Sequence, residues 1–183
     1  LDDTACNLAS LNLLKFYNEH TKEVLVKEMI HAVRLWTVVL EISVLMAQFP
    51  SEEIAQLSYE YRTLGLGYAN LGTILMRSGL PYDSDEGRAI CGAISAILCG
   101  ESYRTSAEMA GFLGSFARYE ENKDHMLRVI RNHRRAAYGH EDGYEDLNIN
   151  PVPLIVENIR DTNLGMEAQK AWDLAYQEGQ KHG

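Results

Sequence analysis

Apolar and polar positions divide the chain into helices separated by short breaks. From Thr21 to Pro50, Met29, Val33, Trp36, Leu40 and Val44 recur at helical spacing. A long helix is predicted there, with Thr21 as its N-cap and Glu23 in its first turn; Pro50 ends it. Ser51, followed by Glu52 and Glu53, opens a second helix. An apolar run broken by Gly65 and Gly67 predicts a short strand, then a helix from about Ala69 to Ser78 closed by Gly79 and Pro81. Ser84 caps a long helix reaching about Gly111, rich in small residues that permit close packing on another helix. Further helices are predicted from Asn122 to Ala137 and over 163–181, with a polar loop over 139–161. Thr4 to Leu13 carries no helical period. An extended piece around Cys6 is expected to turn into a helical turn over Ser10 to Phe16.

The expected fold is therefore mainly α, with about two short strands and five to six helices. Isolated strands leave backbone groups unmet. Two such strands are expected to need partners from further chain, which reads 1–183 as a single partial domain. The opening LDDTACNLASLNL, with no initiating Met, is likewise expected of an interior piece of a longer polypeptide.

Composition narrows the function. A chain of 183 residues with 46% apolar and 23% charged content can bury a core. A formal charge of -9 argues against nonspecific nucleic-acid or anionic-membrane binding, both of which need a basic footprint. Lys27, Glu28, Arg34 and Glu41 interrupt the apolar segment from Val24 to Met46, favouring a buried helix over a membrane span. Three scattered cysteines, Cys6, Cys91 and Cys99, suit a reducing cytoplasm better than a disulfide framework.

Candidate chemistry is sparse. Gly65 to Gly72 lacks the third glycine of a dinucleotide-binding loop, so tight strand-to-helix packing is the preferred reason for its glycines. Glu28 and His31 have the spacing of a helical di-iron motif but no second such pair, and no metal site is predicted. Arg128, Arg131 and Arg135 fall on one helical face, where they could hold a cofactor or phosphate, or pair with Glu120, Glu121, Asp124 or Glu141. Cys91 and Cys99 lie two helical turns apart, about 12 Å along the axis, too far for a disulfide. Cys6, taken by itself, is a lone cysteine in a segment without helical period.

CNLASLNL (Cys6 to Leu13) is very similar to a motif of the large, catalytic subunits of ribonucleotide reductases. YRTLGLGYANLGTILMRSGLPYDSDEGRA (Tyr61 to Ala89) resembles that family's glycine segment and the helix and turn after it. HMLRVIRNHRRAAYG (His125 to Gly139), with NPVPL from Asn150, looks like the adenosylcobalamin-dependent class. The resemblance runs over nearly the whole chain. It implies an interior part of a ten-stranded α/β barrel that reduces ribonucleotides, diphosphates by expectation, to deoxyribonucleotides by thiyl-radical chemistry. Cys6 matches one member of the reducing cysteine pair, and Asn7 and Ser10 are candidate substrate-pocket residues. The implied cofactor is adenosylcobalamin, not held tightly by this piece alone. The implied partners are a ribonucleotide, a dithiol reductant such as thioredoxin and the rest of the chain, in a cytoplasmic homodimer. The radical cysteine and the partner of Cys6 are expected before Leu1 and a phosphate-binding motif after Gly183, so the isolated chain is expected to be inactive. The alternatives are a helical interaction domain without catalysis and a nucleotide-binding regulatory module using Gly65 to Gly72 or the arginine face.

Overall fold

The computed structural model describes residues 3–183. Strand β1 (Asn7–Asn12) runs into a 3-10 turn over Leu13–Phe16 and a small hairpin, β2 (Tyr17–Asn18) and β3 (Glu23–Val24). Helices α1 (Val26–Met46) and α2 (Glu52–Tyr61) then lead to β4 (Leu64–Ala69). Helices α3 (Leu71–Ser78), α4 (Asp85–Leu113), α5 (Tyr119–Ala137) and α6 (Thr162–His182) follow. The chain is mainly helical, as predicted.

The start of α1 differs from the expectation. Asn18 Oδ1 accepts hydrogen bonds from the N–H groups of His20 and Thr21 and folds the segment back into the hairpin. Thr21 therefore belongs to a turn, and α1 begins at Val26 without a side-chain cap. The caps at Ser51 and Ser84 are as predicted: their hydroxyls accept from Ile54 N at 3.3 Å and Gly87 N at 3.0 Å.

The strands also correct an expectation. β1 and β4 pair with each other in parallel, in register from Asn7 opposite Leu64 to Asn12 opposite Ala69, a two-stranded ladder that leaves the outer edge of each strand without a partner strand among the described residues. Ser10 lies inside β1, and only Leu13–Phe16 forms the turn. The connection from β1 to β4 passes through α1 and α2, the long crossover that parallel pairing requires.

The core lies between the ladder and the helices. Met29 and Val33 of α1, Ile74 of α3, Ala93, Ile94 and Ile97 of α4, and Leu164 and Ala168 of α6 are all buried. α4 packs closely along α6 at Gly100, where an added Cβ would lie 2.9 Å from Ala171 Cβ and 3.0 Å from Ala171 backbone carbon. Small residues thus serve helix contact on α4, as the pattern implied.

By length and composition α1 could cross a membrane. Here Met29, Val33, Thr37, Leu40 and Val44 face the core, while Arg34 and Glu41 are ion-paired to α4 and to Arg62. Arg34 bridges Glu108 at 2.5 Å and approaches the buried Glu101, to which Arg104 also pairs. Desolvation pushes the Glu108 carboxyl up, but the hydrogen bonds and charges of Arg34 and Arg104 outweigh it and hold its pKa below the ordinary value. A lowered carboxylate pKa contributes stability above the unfolded value, about 4.3 for Glu, and loses it as pH falls through the lower folded value. Acid titration of the full-length protein should loosen the α1–α4 contact below that range, read by hydrogen exchange of α1 amides. A Glu108→Gln variant with the same acid profile as the parent would refute this assignment.

Candidate functional site

β1 sorts its side chains by alternation. Ala9 and Leu11 face the helices, and Asn7 shares their side, where its Nδ2 donates to Ser43 Oγ of α1 at 2.7 Å. Ser43 in turn donates to Leu40 O at 2.6 Å. Cys6, Leu8, Ser10 and Asn12 face the other way and are exposed; Leu8 is 80% accessible. The parallel register brings Gly65, Gly67 and Ala69 of β4 to the same face. That open face is a strand surface bearing one thiol beside two residues without side chains.

Cys6 is a free, exposed thiol whose Sγ lies 3.7 Å from Asn7 O. The backbone before it is anchored: Ala5 N donates to Ser58 Oγ at 2.8 Å, and Thr63 Oγ1 donates to Ala5 O at 2.9 Å. Both partners come from the corner between α2 and β4. Arg62 makes that corner with a left-handed backbone (φ 52°), its N–H donating to Ser58 O and its guanidinium paired to Glu41.

Of the residues singled out from sequence, Cys6 and Ser10 share the open face. Asn7 lies on the opposite side, where its amide nitrogen donates to Ser43 Oγ and helps seat β1 on α1. Gly65 and Gly67 lie within a strand and serve the strand-to-strand surface, not strand-to-helix packing. Sequence reasoning missed Ser43, Ser58 and Thr63. Their only signal is small hydroxyl residues at helix positions or strand edges, which is common and unspecific.

The arginine face sits elsewhere, on α5, packed along α6 and α4. Arg128 pairs with Asp146 at 2.5 Å, and Arg131 pairs with Glu145 through two bonds of 2.7 and 2.6 Å. Arg135 lies against Gly143, where an added Cβ would be 2.9 Å from its guanidinium carbon. Asn132 exchanges two 2.9 Å hydrogen bonds with the Glu145 backbone. The stripe thus clasps the loop that follows it, through carboxylates other than the four expected. The other two cysteines are free and half-buried on α4. Tyr68 hydroxyl lies 3.7 Å from Cys91 Sγ, and burial pushes the Cys99 thiol pKa up.

An exposed thiol on a strand edged by glycine is compatible with several folds, and the comparison with known proteins decides among them. The barrel domain of ribonucleotide reductase matches residues 1–183. The chain belongs to the ribonucleotide reductase family. Over all 183 residues it is 64% identical to a vitamin B12-dependent ribonucleotide reductase of Agrobacterium fabrum and 63% identical to one of Bradyrhizobium diazoefficiens. A ribonucleoside-diphosphate reductase large subunit of Plasmodium falciparum is 26% identical over 115 residues, 63% of this chain and 14% of that subunit. This reductase segment spans 14% and 15% of the length of the two bacterial relatives.

Proposed function

We propose that residues 1–183 form a single partial domain, one sector of the catalytic barrel of a ribonucleotide reductase, in which Cys6 is one of the two thiols that reduce the substrate. The observation that carries the reading is the placing of Cys6: a free sulfur on the open face of β1, with its preceding residue tied at both backbone polar atoms. The balanced step joins a ribonucleotide and two thiols to give a 2′-deoxyribonucleotide, one disulfide and water. The two sulfurs supply the two electrons, and their hydrogens account for the new C–H hydrogen and the water. A dithiol of the thioredoxin kind then reduces the disulfide by exchange, for which the sulfur must be accessible. Diphosphates are the proposed substrates, in keeping with the name of the Plasmodium relative. A reducing cytoplasm suits the three free thiols.

The names of the bacterial relatives bring adenosylcobalamin into the reading as the source of the radical. The described residues do not fit its site. Two clefts among them measure about 440 Å³ at the ends of α4 and α6 and about 260 Å³ beside the hairpin, while a corrinoid exceeds drug-sized ligands, whose pockets span roughly 300–1,000 Å³. Arg128 and Arg131 are already paired to Asp146 and Glu145. Cobalamin is therefore assigned to a surface that these residues do not complete, and no step of their chemistry runs through it.

The test is a map of disulfides after a single turnover. Full-length enzyme, pre-reduced and then mixed with adenosylcobalamin and ribonucleotide without external dithiol, should carry Cys6 in a disulfide with a cysteine from outside this segment, with Cys91 and Cys99 still free. The purified 183-residue chain should reduce no ribonucleotide. A disulfide that leaves Cys6 free, or turnover by the chain alone, would overturn the reading.

A further inference from the structure

Gly65 is the tightest contact on the open face. An added Cβ there would lie 2.9 Å from Cys6 Sγ, 2.3 Å from Leu8 Cδ2 and 3.2 Å from Asn7 O. Two residues along, Gly67 differs: its added Cβ would meet only Ser10 Oγ at 3.6 Å, an ordinary contact. Gly65 has no left-handed backbone to explain it, and glycine weakens a strand. Its value is the space it leaves. The Leu8 side chain is exposed and can swing aside, but the Asn7 carbonyl is ladder backbone. The sulfur is therefore the group that a methyl at position 65 would push. Behind Cys6, Ser58 is buried (1% exposed) and accepts from Ala5 N, while Thr63 donates to Ala5 O. The sulfur is thus confined from two sides: its backbone is pinned to the α2–β4 corner, and its side chain lies against the bare backbone of β4.

We propose that Ser58, Thr63 and Gly65 are positioning residues for Cys6, holding its sulfur where it can both close a disulfide and meet an external dithiol. The inference rests on reading Cys6 as a reducing thiol. A disulfide tolerates little displacement, since its Cβ atoms must lie within about 3.5–4.5 Å. In a positioned reaction an error of about 1 Å can cost about 100-fold. Each of the three acts through the sulfur.

The experiment uses full-length reductase carrying Gly65→Ala, Ser58→Ala, Thr63→Val or Thr63→Ser, with Cys6→Ser beside them. Three quantities are read: kcat and KM with dithiol, product per site in a single turnover, and the rate of Cys6 alkylation by iodoacetamide measured on its peptide. Gly65→Ala should lower kcat by roughly 10- to 100-fold. Its KM for the ribonucleotide should stay near that of the parent, and the alkylation rate of Cys6 should change. Thr63→Val should show the same signature in milder form, and Thr63→Ser, which keeps the hydroxyl, should restore the parent values. Parent-like kcat and alkylation in Gly65→Ala would overturn the proposal. If Gly65→Ala fails to fold, the Thr63 pair decides: equal kcat in Thr63→Val and Thr63→Ser overturns it. Full activity in Cys6→Ser would instead defeat the underlying reading of Cys6 and is distinguishable from either result.

Discussion

Cys6→Ser in the full-length enzyme is expected to abolish dithiol-dependent multiple turnover, by on the order of 1,000-fold or more, because the proposed function makes the group removed a reactant. Oxygen is close to sulfur in size, and Cys6 is exposed one residue before β1, where its side chain reaches only the neighbouring Asn7 carbonyl among its hydrogen-bond partners. Folding and ribonucleotide binding should therefore survive. What is lost is electron supply: an alcohol does not join a thiol in a disulfide, so the partner sulfur has no means of delivering the second electron. Substrate affinity and thermal unfolding measured beside turnover separate this from a folding defect. Cys99→Ala is the matched comparison, since Cys99 is a half-buried small hydrophobe on α4, and it should retain turnover. Sustained turnover in Cys6→Ser with dithiol as the only reductant would remove the chemical basis of the proposed function.

Legibility in the sequence tracks how local the determining forces are. The caps at Ser51 and Ser84 were readable because a hydroxyl three residues before an N–H is a local event. The start of α1 was not. Two-residue strands are too short to show a period, and the Asn18 side chain diverts the backbone for which Thr21 is the predicted cap. The pairing of β1 with β4 joins residues 57 apart, from Asn7 with Leu64 onward, and nothing local announces it. Which face of β1 is open was equally hidden. Cys6, Leu8, Ser10 and Asn12 alternate with Asn7, Ala9 and Leu11, and neither set is uniformly polar. A strand facing solvent on one side and a core on the other shows clean alternation. β1 does not: Leu8 is exposed on the open side, and Asn7 on the helix side is held by Ser43 Oγ. The arginine stripe was legible as a stripe on α5. Its partners were not, because Gly139 and Gly143, both at positive φ, carry the loop back far enough to bring Glu145 and Asp146 over it.

Trp172→Ala should give the largest loss of stability in this segment, about 3–5 kcal/mol. Trp172 on α6 is 1% exposed and fills the junction of three helices. The His133 ring of α5 stacks on it at 4.7 Å between centroids, and the Tyr103 ring of α4 lies at 5.9 Å. Ile130, Ala137 and Ala175 complete the cluster. Truncation removes the burial of a large aromatic surface and leaves a cavity that the surrounding helices cannot close. α4 and α6 are already in contact at Gly100 and Ala171, one residue before the indole. Against a typical domain stability of about 5–15 kcal/mol, the loss is a large fraction. It should be concentrated in α5 and α6, whose amides in the full-length protein should exchange far faster, together with a lowered unfolding midpoint. His133→Ala separates the two contributions, because it removes the stacked ring but keeps the indole buried, and should cost about 0.5–1.5 kcal/mol for the lost ring pair. Cys6 sits on a ladder held by α1 and the α2–β4 corner, so turnover per folded molecule at low temperature should be preserved in Trp172→Ala. Unchanged amide exchange in α5 and α6 would show that the indole is not the keystone of the three-helix junction. A collapse of turnover in molecules that remain folded would mean that this junction and the thiol strand are coupled more tightly than their separate packing implies.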